Sequence, residues 1–363
     1  MVKRVMIMAG GTGGHVFPAL AVAHALQAEG MEVTWLGTRH GLEATVVPEA
    51  EIEIDYISIQ GLRGKNKLTL LLAPFRLTLA LIQALLIMLK RRPHAVLGMG
   101  GFASGPGGVM ARLLARPLVI HEQNAVAGVT NRLLAGIATR VLEAFPSAFD
   151  SGSRVRHTGN PVRISIAQLA EPAARMRGRT GPLRILVVGG SLGALALNKI
   201  VPEAIASMPM ESRPQVRHQC GRHHCEQSRE VYSKAGVDAV VKPFIKDMAE
   251  ALGWADMVVC RAGAMTIAEL AAAGVGSILV PFPHAVDDHQ TANGRYLTEH
   301  GAAEMIQQSE LTVEGLAERL LPLAEDADRG RERIITMAEQ ARALAMPNAT
   351  EDVMQHCLEV MRG

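Results

Sequence analysis

The chain has 363 residues, enough for two ordinary domains, and 48% of them are hydrophobic against 20% charged, which excludes a disordered chain. A net charge of +2 and 3% aromatic residues argue against a nucleic-acid partner, which would need a basic face or stacking platforms. Four cysteines in so long a chain fit a reducing compartment.

In chain order, KRVMIMA at the start reads as a buried strand. Its apolar run is too short for a secretory signal, which needs roughly 7–15 apolar residues. The turn Gly10-Gly11-Thr12-Gly13-Gly14 follows, then an amphipathic helix. MEVTWLGT, HAVLGMGG, PLVIHEQ and RVLEAF read as further strands of the first half. Residues 68 to 92 are apolar but interrupted by Pro74 and Arg76, and the uninterrupted part is shorter than the ~20 residues that cross a bilayer. Two readings stay open for this segment: a core helix apolar on most sides, or a helix seated on a membrane surface. Arg63, Lys65, Lys67, Arg76 and the Lys90-Arg91-Arg92 end suit anionic headgroups.

The segment SGSRVRHTGNPVR (151 to 163) reads as a linker. Beyond it, RILVVGGSLGALALNK (184 to 199) repeats the opening pattern of basic residue, apolar strand, glycine turn and helix. QVRHQCG, DAVVKPF, DMVVCRAG and GSILVPF read as strands separated by helical patterns. Two similar α/β domains with largely parallel sheets follow, 1–162 and 163–344. The break AMPNATED precedes a last helix within 345–363 that is free to pack on the first domain. Such paired nucleotide-type domains bind ligands at the carboxyl ends of their strands, in a cleft where the domains face each other.

The glycine loops admit several chemistries. From Gly11 a dinucleotide fingerprint fails at Val16, and the second loop has Ser191 where the middle glycine belongs. Gly189 to Gly193 also matches the G-x-S-x-G elbow of serine hydrolases, with Asp256 and His284 as conceivable partners, but that fold does not explain a glycine-loop domain before the elbow. The remaining reading is a phosphate cradle in which backbone N–H groups and a helix dipole meet an anion. The loops 10–14, 98–108 and 189–193 are three such candidates, more than one mononucleotide needs, and an acceptor with its own diphosphate would use the surplus. The bland alternative is that they are only tight turns. HQCGRHHC (218 to 225) lacks two well-spaced zinc-ligand pairs, and Asp326-Ala-Asp328 lies in a charged helical stretch. Neither is read as a metal site. Glu269 early in a helix could accept both hydroxyls of a ribose, and PFPHAVDDHQTANGRYL after a strand is dense enough in polar groups for a sugar.

Seven blocks in order, AGGTGGHVFPAL, GMGGFASGP, HEQNAVAGVTN, GNPVR, GGSLGA, CRAGAMTIAE and DDHQTAN, together resemble the MurG family of transferases. The resemblance implies a GT-B fold, two Rossmann-like doubly wound domains facing across a cleft, with the acceptor side in the first and the UDP-sugar side in the second. It implies inverting transfer of GlcNAc from UDP-GlcNAc to the C4 hydroxyl of MurNAc in undecaprenyl-linked lipid I, without metal or other cofactor. It places Thr12, Gly13, Gly14, Asn124, Arg163, Ser191, Ile245, Ala264, Met265, Thr266, Ile267, Ala268, Glu269 and Gln290 on the donor, with 264 to 268 as a loop before the ribose-binding Glu269. It places Gly100, Gly101, Phe102 and Asn131 on the acceptor side. Ser191 is then part of a cradle, not a nucleophile. Phe102 stands where the family often has tyrosine, and His289 where it often has glutamine. His15 is the candidate base, the other reading being that it only hydrogen-bonds the donor. The segment 63–92 would seat the protein peripherally on the cytoplasmic leaflet of the inner membrane. A transferase for another UDP-sugar or lipid, and a non-catalytic nucleotide-sugar sensor, are the alternative functions.

Overall fold

The computed structural model describes residues 2–61, 72–190 and 193–362. They divide into two compact units, residues 1–162 with 346–363, and residues 163–345. The first unit holds β1 (Arg4–Met8), β2 (Glu32–Gly37), β3 (Glu53–Tyr56), β4 (Ala95–Gly98), β5 (Leu118–Glu122), β6 (Arg140–Glu143) and β7 (Val155–His157). All pair in parallel, in the order β3-β2-β1-β4-β5-β6-β7. The second holds β8 (Arg184–Val188), β9 (Gln215–Gln219), β10 (Ala239–Lys242), β11 (Met257–Cys260), β12 (Gly276–Leu279) and β13 (Ala303–Met305), parallel and ordered β10-β9-β8-β11-β12-β13. Counted from its own first strand, each sheet runs 3-2-1-4-5-6, with β7 added at the edge of the first, the doubly wound order that opens a crevice beside the first strand.

The central strands are apolar along their length because helices cover both faces. Val5, Met6, Ile7 and Met8 are fully buried. On one face of the first sheet the Gly13–Ala28 helix packs with Val16, Ala19, Val22 and Leu26, joined by Val353, Met354, Cys357 and Leu358 of the closing helix Ala349–Val360. On the other face Ala80, Ala84 and Met88 of the Ala73–Arg91 helix lie in the core.

Three strands escaped the sequence reading. β7 lies inside the segment read as a linker and pairs with β6. β3 and β13 are edge strands of four and three residues with little apolar pattern. Of the two readings left open for 68–92, a core helix apolar on most sides does not match the burial observed. Within Ala73–Arg91 only one stripe, Ala80, Ala84 and Met88, is buried, and the opposite face exposes Phe75, Leu79, Ile82, Leu86 and Leu89. Residues 62–71, with Arg63, Lys65 and Lys67, lie outside the described residues.

Candidate functional site

In each sheet the switch in strand order falls where the first and fourth strands lie side by side, β1 beside β4 and β8 beside β11. The loops leaving these strands carry most of the singled-out residues.

In the first unit, the loop after β1 is held from several sides. Trp35 Nε1 donates to the Ala9 carbonyl (2.8 Å), Glu43 Oε2 accepts the Gly11 N–H (2.9 Å), and Leu42 N–H reaches the Gly11 carbonyl (3.3 Å). Thr12 is the N-cap of the Gly13–Ala28 helix, and Gly13, Gly14 and His15 form its first turn. His15 is thus a helical residue. The first N–H groups of a helix have no intrahelical acceptor, which suits Gly13 and Gly14 to an anion. His15 Nδ1 lies 3.2 Å from the Gly10 carbonyl. A carbonyl oxygen only accepts, so this bond places the proton on Nδ1 and a lone pair on Nε2.

The loop after β4 leans on the first loop. Ser104 Oγ lies 3.0 and 2.8 Å from the Met8 and Gly100 carbonyl oxygens, which share its single proton. Gly100 and Gly101 have φ of +96° and +86°, a region that side chains rarely enter. A Cβ on Gly101 would lie 2.5 Å from the Gly10 oxygen, and one on Gly100 would lie 2.8 Å from the His15 ring. The turn after β5 is organised by Glu122. Its Oε1 accepts from Asn124 N–H and Nδ2 (3.0 and 3.1 Å), and its Oε2 from Gly128 N–H and Asn131 Nδ2 (3.0 and 2.9 Å). Asn131 is buried and also donates to the His121 carbonyl, so it braces this turn from within. Phe102 is exposed. His121 is buried, its Nε2 donating to the Gly159 carbonyl (2.9 Å) and its Nδ1 accepting from Gln123 Nε2 (3.0 Å). Burial lowers its pKa to about 4.

In the second unit, Ala264 to Ala268 are not a loop. They open the helix Ala264–Ala273, with Gly263 as N-cap, and Glu269 stands in its second turn. A hydrogen-bonded turn there directs N–H groups toward the strand ends, which a loop would not do as regularly. Glu269 Oε1 accepts from Arg163 Nη2 at 2.7 Å, with the Glu269 side chain 19% exposed and that of Arg163 50%. Burial raises the Glu269 pKa and Arg163 opposes the rise. Ile245 N–H donates to Gln219 Oε1 (2.9 Å), and Gln290 Oε1 accepts the Phe282 N–H (2.9 Å), folding the polar loop back on itself. Asp287 and Asp288 both have positive φ, 52° and 50°, strain for non-glycine residues in a segment rich in hydrogen-bonding groups. Ser191 lies outside the described residues, so the third glycine loop is defined only by Gly189, Gly190 and Gly193.

Three of the residues weighed for metal chemistry have other partners. Asp326 caps the helix Ala327–Ala343 by accepting the Arg329 N–H (3.1 Å). His218 Nδ1 meets the Tyr232 hydroxyl at 2.9 Å and Cys220 Sγ meets the Lys242 carbonyl at 3.2 Å. Burial takes the His218 pKa to about 3.

Glu43 and Glu122 were not among the sequence candidates. Glu122 could have been suspected as an acid ending an apolar strand. Glu43 had no local signal, because its partners come from residues 11 and 38.

Comparison with known proteins places this arrangement. Residues 5–143 match the glycosyltransferase family 28 N-terminal domain and residues 184–353 its C-terminal domain. A protein of Marinobacter nauticus described as UDP-N-acetylglucosamine--N-acetylmuramyl-(pentapeptide) pyrophosphoryl-undecaprenol N-acetylglucosamine transferase is 56% identical over 361 residues, 99% of this chain and 98% of that one. The chain belongs to the MurG family. A protein of Nitrosococcus oceani with the same description is 54% identical over the full length of both chains. The crystal structure of Acinetobacter baumannii MurG superposes with a TM-score of 0.84 at 42% identity, covering 98% of this chain and 99% of that one. Both units are therefore those of a GT-B glycosyltransferase, as the MurG resemblance implied.

Proposed function

We propose that this protein transfers GlcNAc from UDP-GlcNAc to the C4 hydroxyl of MurNAc in undecaprenyl-pyrophosphoryl-MurNAc-pentapeptide, lipid I, giving lipid II and UDP with inversion at the anomeric carbon. The observation that carries this reading is the end-to-end match to transferases described by that reaction, at 56% identity. The acceptor oxygen attacks C1 of the sugar while the bond from C1 to the diphosphate oxygen breaks, through an oxocarbenium-like transition state. The hydroxyl proton passes to His15 Nε2, the nitrogen left with a lone pair when Nδ1 donates to Gly10.

The departing UDP gains negative charge. In the second unit the helix N-terminus at Ala264, with Arg163, supplies positive potential for it, and in the first unit Thr12 and the helix N-terminus at Gly13 form a further anion-binding turn. Glu269 accepts from the ribose hydroxyls, and Arg163, half exposed, turns from Glu269 to the diphosphate when the donor enters. Ile245 reads the uracil, Asn124 and Gln290 hold the sugar side, and Gly100, Gly101 and Phe102 shape the acceptor side. Asn131 contributes through the turn it braces. The exposed apolar face of Ala73–Arg91 lies on the cytoplasmic leaflet of the inner membrane, where lipid I resides. Of its basic end, Arg91 is engaged with Asp55 (2.6 Å) and Glu53 and Lys90 lies 4.0 Å from Asp55, while Arg92 at that end and Arg76 near the helix start are exposed and better placed for headgroups.

The test is to mix purified protein with UDP-GlcNAc and a short-chain lipid I analogue in EDTA and to read products by mass spectrometry. The expected result is an acceptor heavier by one N-acetylhexosamine, with UDP released. Turnover only after magnesium is added would overturn the metal-free leaving-group chemistry. Silence in both, with a competent control enzyme, would point to another acceptor or to a sensor.

A further inference from the structure

Glu43 is fully buried, and its side chain is enclosed by backbone at Gly10, Gly37 and Gly41, where any Cβ would collide with it. A carboxylate so placed must have its oxygens occupied by donors. Oε1 accepts the Thr38 N–H (2.9 Å) and the Thr38 hydroxyl (2.8 Å), and Oε2 accepts the Gly11 N–H (2.9 Å). That last donor has a particular neighbour. The Gly11 N–H and the Gly10 carbonyl belong to one peptide unit, and the Gly10 carbonyl is the group that receives His15 Nδ1–H at 3.2 Å.

A negative charge on the N–H side of a peptide polarises it and makes its carbonyl a stronger acceptor. The unit cannot turn over easily, since Gly101 is packed on its carbonyl and Gly100 on the His15 ring. We propose that Glu43 is a positioning residue for the transfer reaction. Through the Gly10–Gly11 peptide it holds His15 as the Nδ1–H tautomer, aims Nε2 as the proton acceptor, and stabilises the imidazolium formed when the acceptor hydroxyl loses its proton. The logic is that of a carboxylate orienting a catalytic histidine, with a peptide group interposed. It rests on the reading of His15 as the base.

Two measurements test it. In protein labelled with ¹⁵N-histidine, long-range ¹H–¹⁵N correlation reads the tautomer of each of the 13 histidines, and His15 is assigned by comparison with His15→Ala. Wild-type His15 is expected to carry its proton on Nδ1. Glu43→Gln, of the same shape, should shift that ring toward the Nε2–H form. It should also lower kcat by roughly 10- to 100-fold while the KM for UDP-GlcNAc stays within about twofold, a split that general loosening of the fold would not produce. Should Glu43→Gln fail to fold, Glu43→Asp, which keeps the charge but withdraws it by one methylene, is read in the same way. A wild-type His15 protonated on Nε2, or a Glu43→Gln enzyme with unchanged kcat, overturns the relay alone. A His15→Ala enzyme that retains wild-type kcat overturns the base reading and the relay with it.

Discussion

In the first unit Glu43, Glu122 and Glu143 accept hydrogen bonds from backbone and amide N–H groups of the loops around them. In the second, Asp256 and Glu269 face arginines. The difference is one of exchangeability. A carboxylate embedded in peptide N–H groups holds a loop in one shape and has nothing to trade, since each donor it lost would remain buried and unpaired. A carboxylate facing a half-exposed guanidinium can give up that partner to a ligand carrying hydroxyls and phosphates, with water covering the cost while the arginine turns. Asp256 shows the other limit, because its arginines are themselves buried.

The sharpest way to break this contrast is at Asp256, which is fully buried, accepts from Arg179 at 2.5 Å and from the Arg184 N–H at 3.0 Å, and has Arg331 at 3.4 Å. Asp256→Ala removes the buried carboxylate that neutralises Arg331 and the largely buried Arg179, and urea unfolding should show a loss of about 3–5 kcal/mol. A loss below about 1 kcal/mol would mean that water already reaches them. The next effect is set by pH. His121 in the first unit and His218 in the second are held neutral, with pKa values of about 4 and about 3. The unfolded chain takes up a proton on each near pH 6.5 while the folded one does not. Stability is therefore unaffected above that pH, falls as pH drops from 6.5 toward 4, and levels off once the folded imidazoles also protonate. For His121 the full loss is about 3 kcal/mol, and His121→Gln should roughly halve the fall in stability between pH 6.5 and 4, the remainder belonging to His218.

Donor recognition sharpens the contrast from the other side. Glu269→Gln should raise the KM for UDP-GlcNAc roughly 10- to 100-fold, as expected for hydrogen bonds to a charged group. It should move thermal stability little, because the pair with Arg163 is partly solvated. An unchanged KM would remove Glu269 from the donor site. The smallest effect on folding is expected from Phe75→Ser with Leu79→Ser on the exposed helix face. Unfolding should change by less than about 0.5 kcal/mol, yet co-sedimentation with vesicles containing anionic lipid should fall. Unaltered sedimentation would leave that face without a membrane role.

The doubly wound sheets were legible because buried parallel strands are short apolar runs ending in glycine turns, and ten of the thirteen strands among the described residues could be read directly from that pattern or from its repeat at Lys3 and Leu183. With the strand preceding each glycine loop identified, β1 and β8 followed at once. The edge strands β3, β7 and β13 were not legible, since an edge needs no continuous apolar run. The segments that follow the strands were legible where they carry a dense polar or glycine-rich signature, as at 10–14, 98–108 and 281–293. It was misread at 264–268, where glycine and small residues before Glu269 suggested a loop and instead form a helix start.

What the amino-acid sequence by itself determined is the pair of parallel-sheet domains and the chemical types at their strand ends, because both depend on local periodicity and on residues adjacent in the chain. Only the tertiary structure decided which of those groups are committed and which can be exchanged. Glu43 reads locally as an ordinary helix-start acid. It becomes the support of the first loop because residues 11 and 38 converge on it. Glu269 reads as a ribose ligand, and the structure adds that Arg163, 106 residues earlier in the chain, occupies it. Hydrogen bonding and burial are satisfied by neighbours in space, and the chain's own order says little about who those neighbours are.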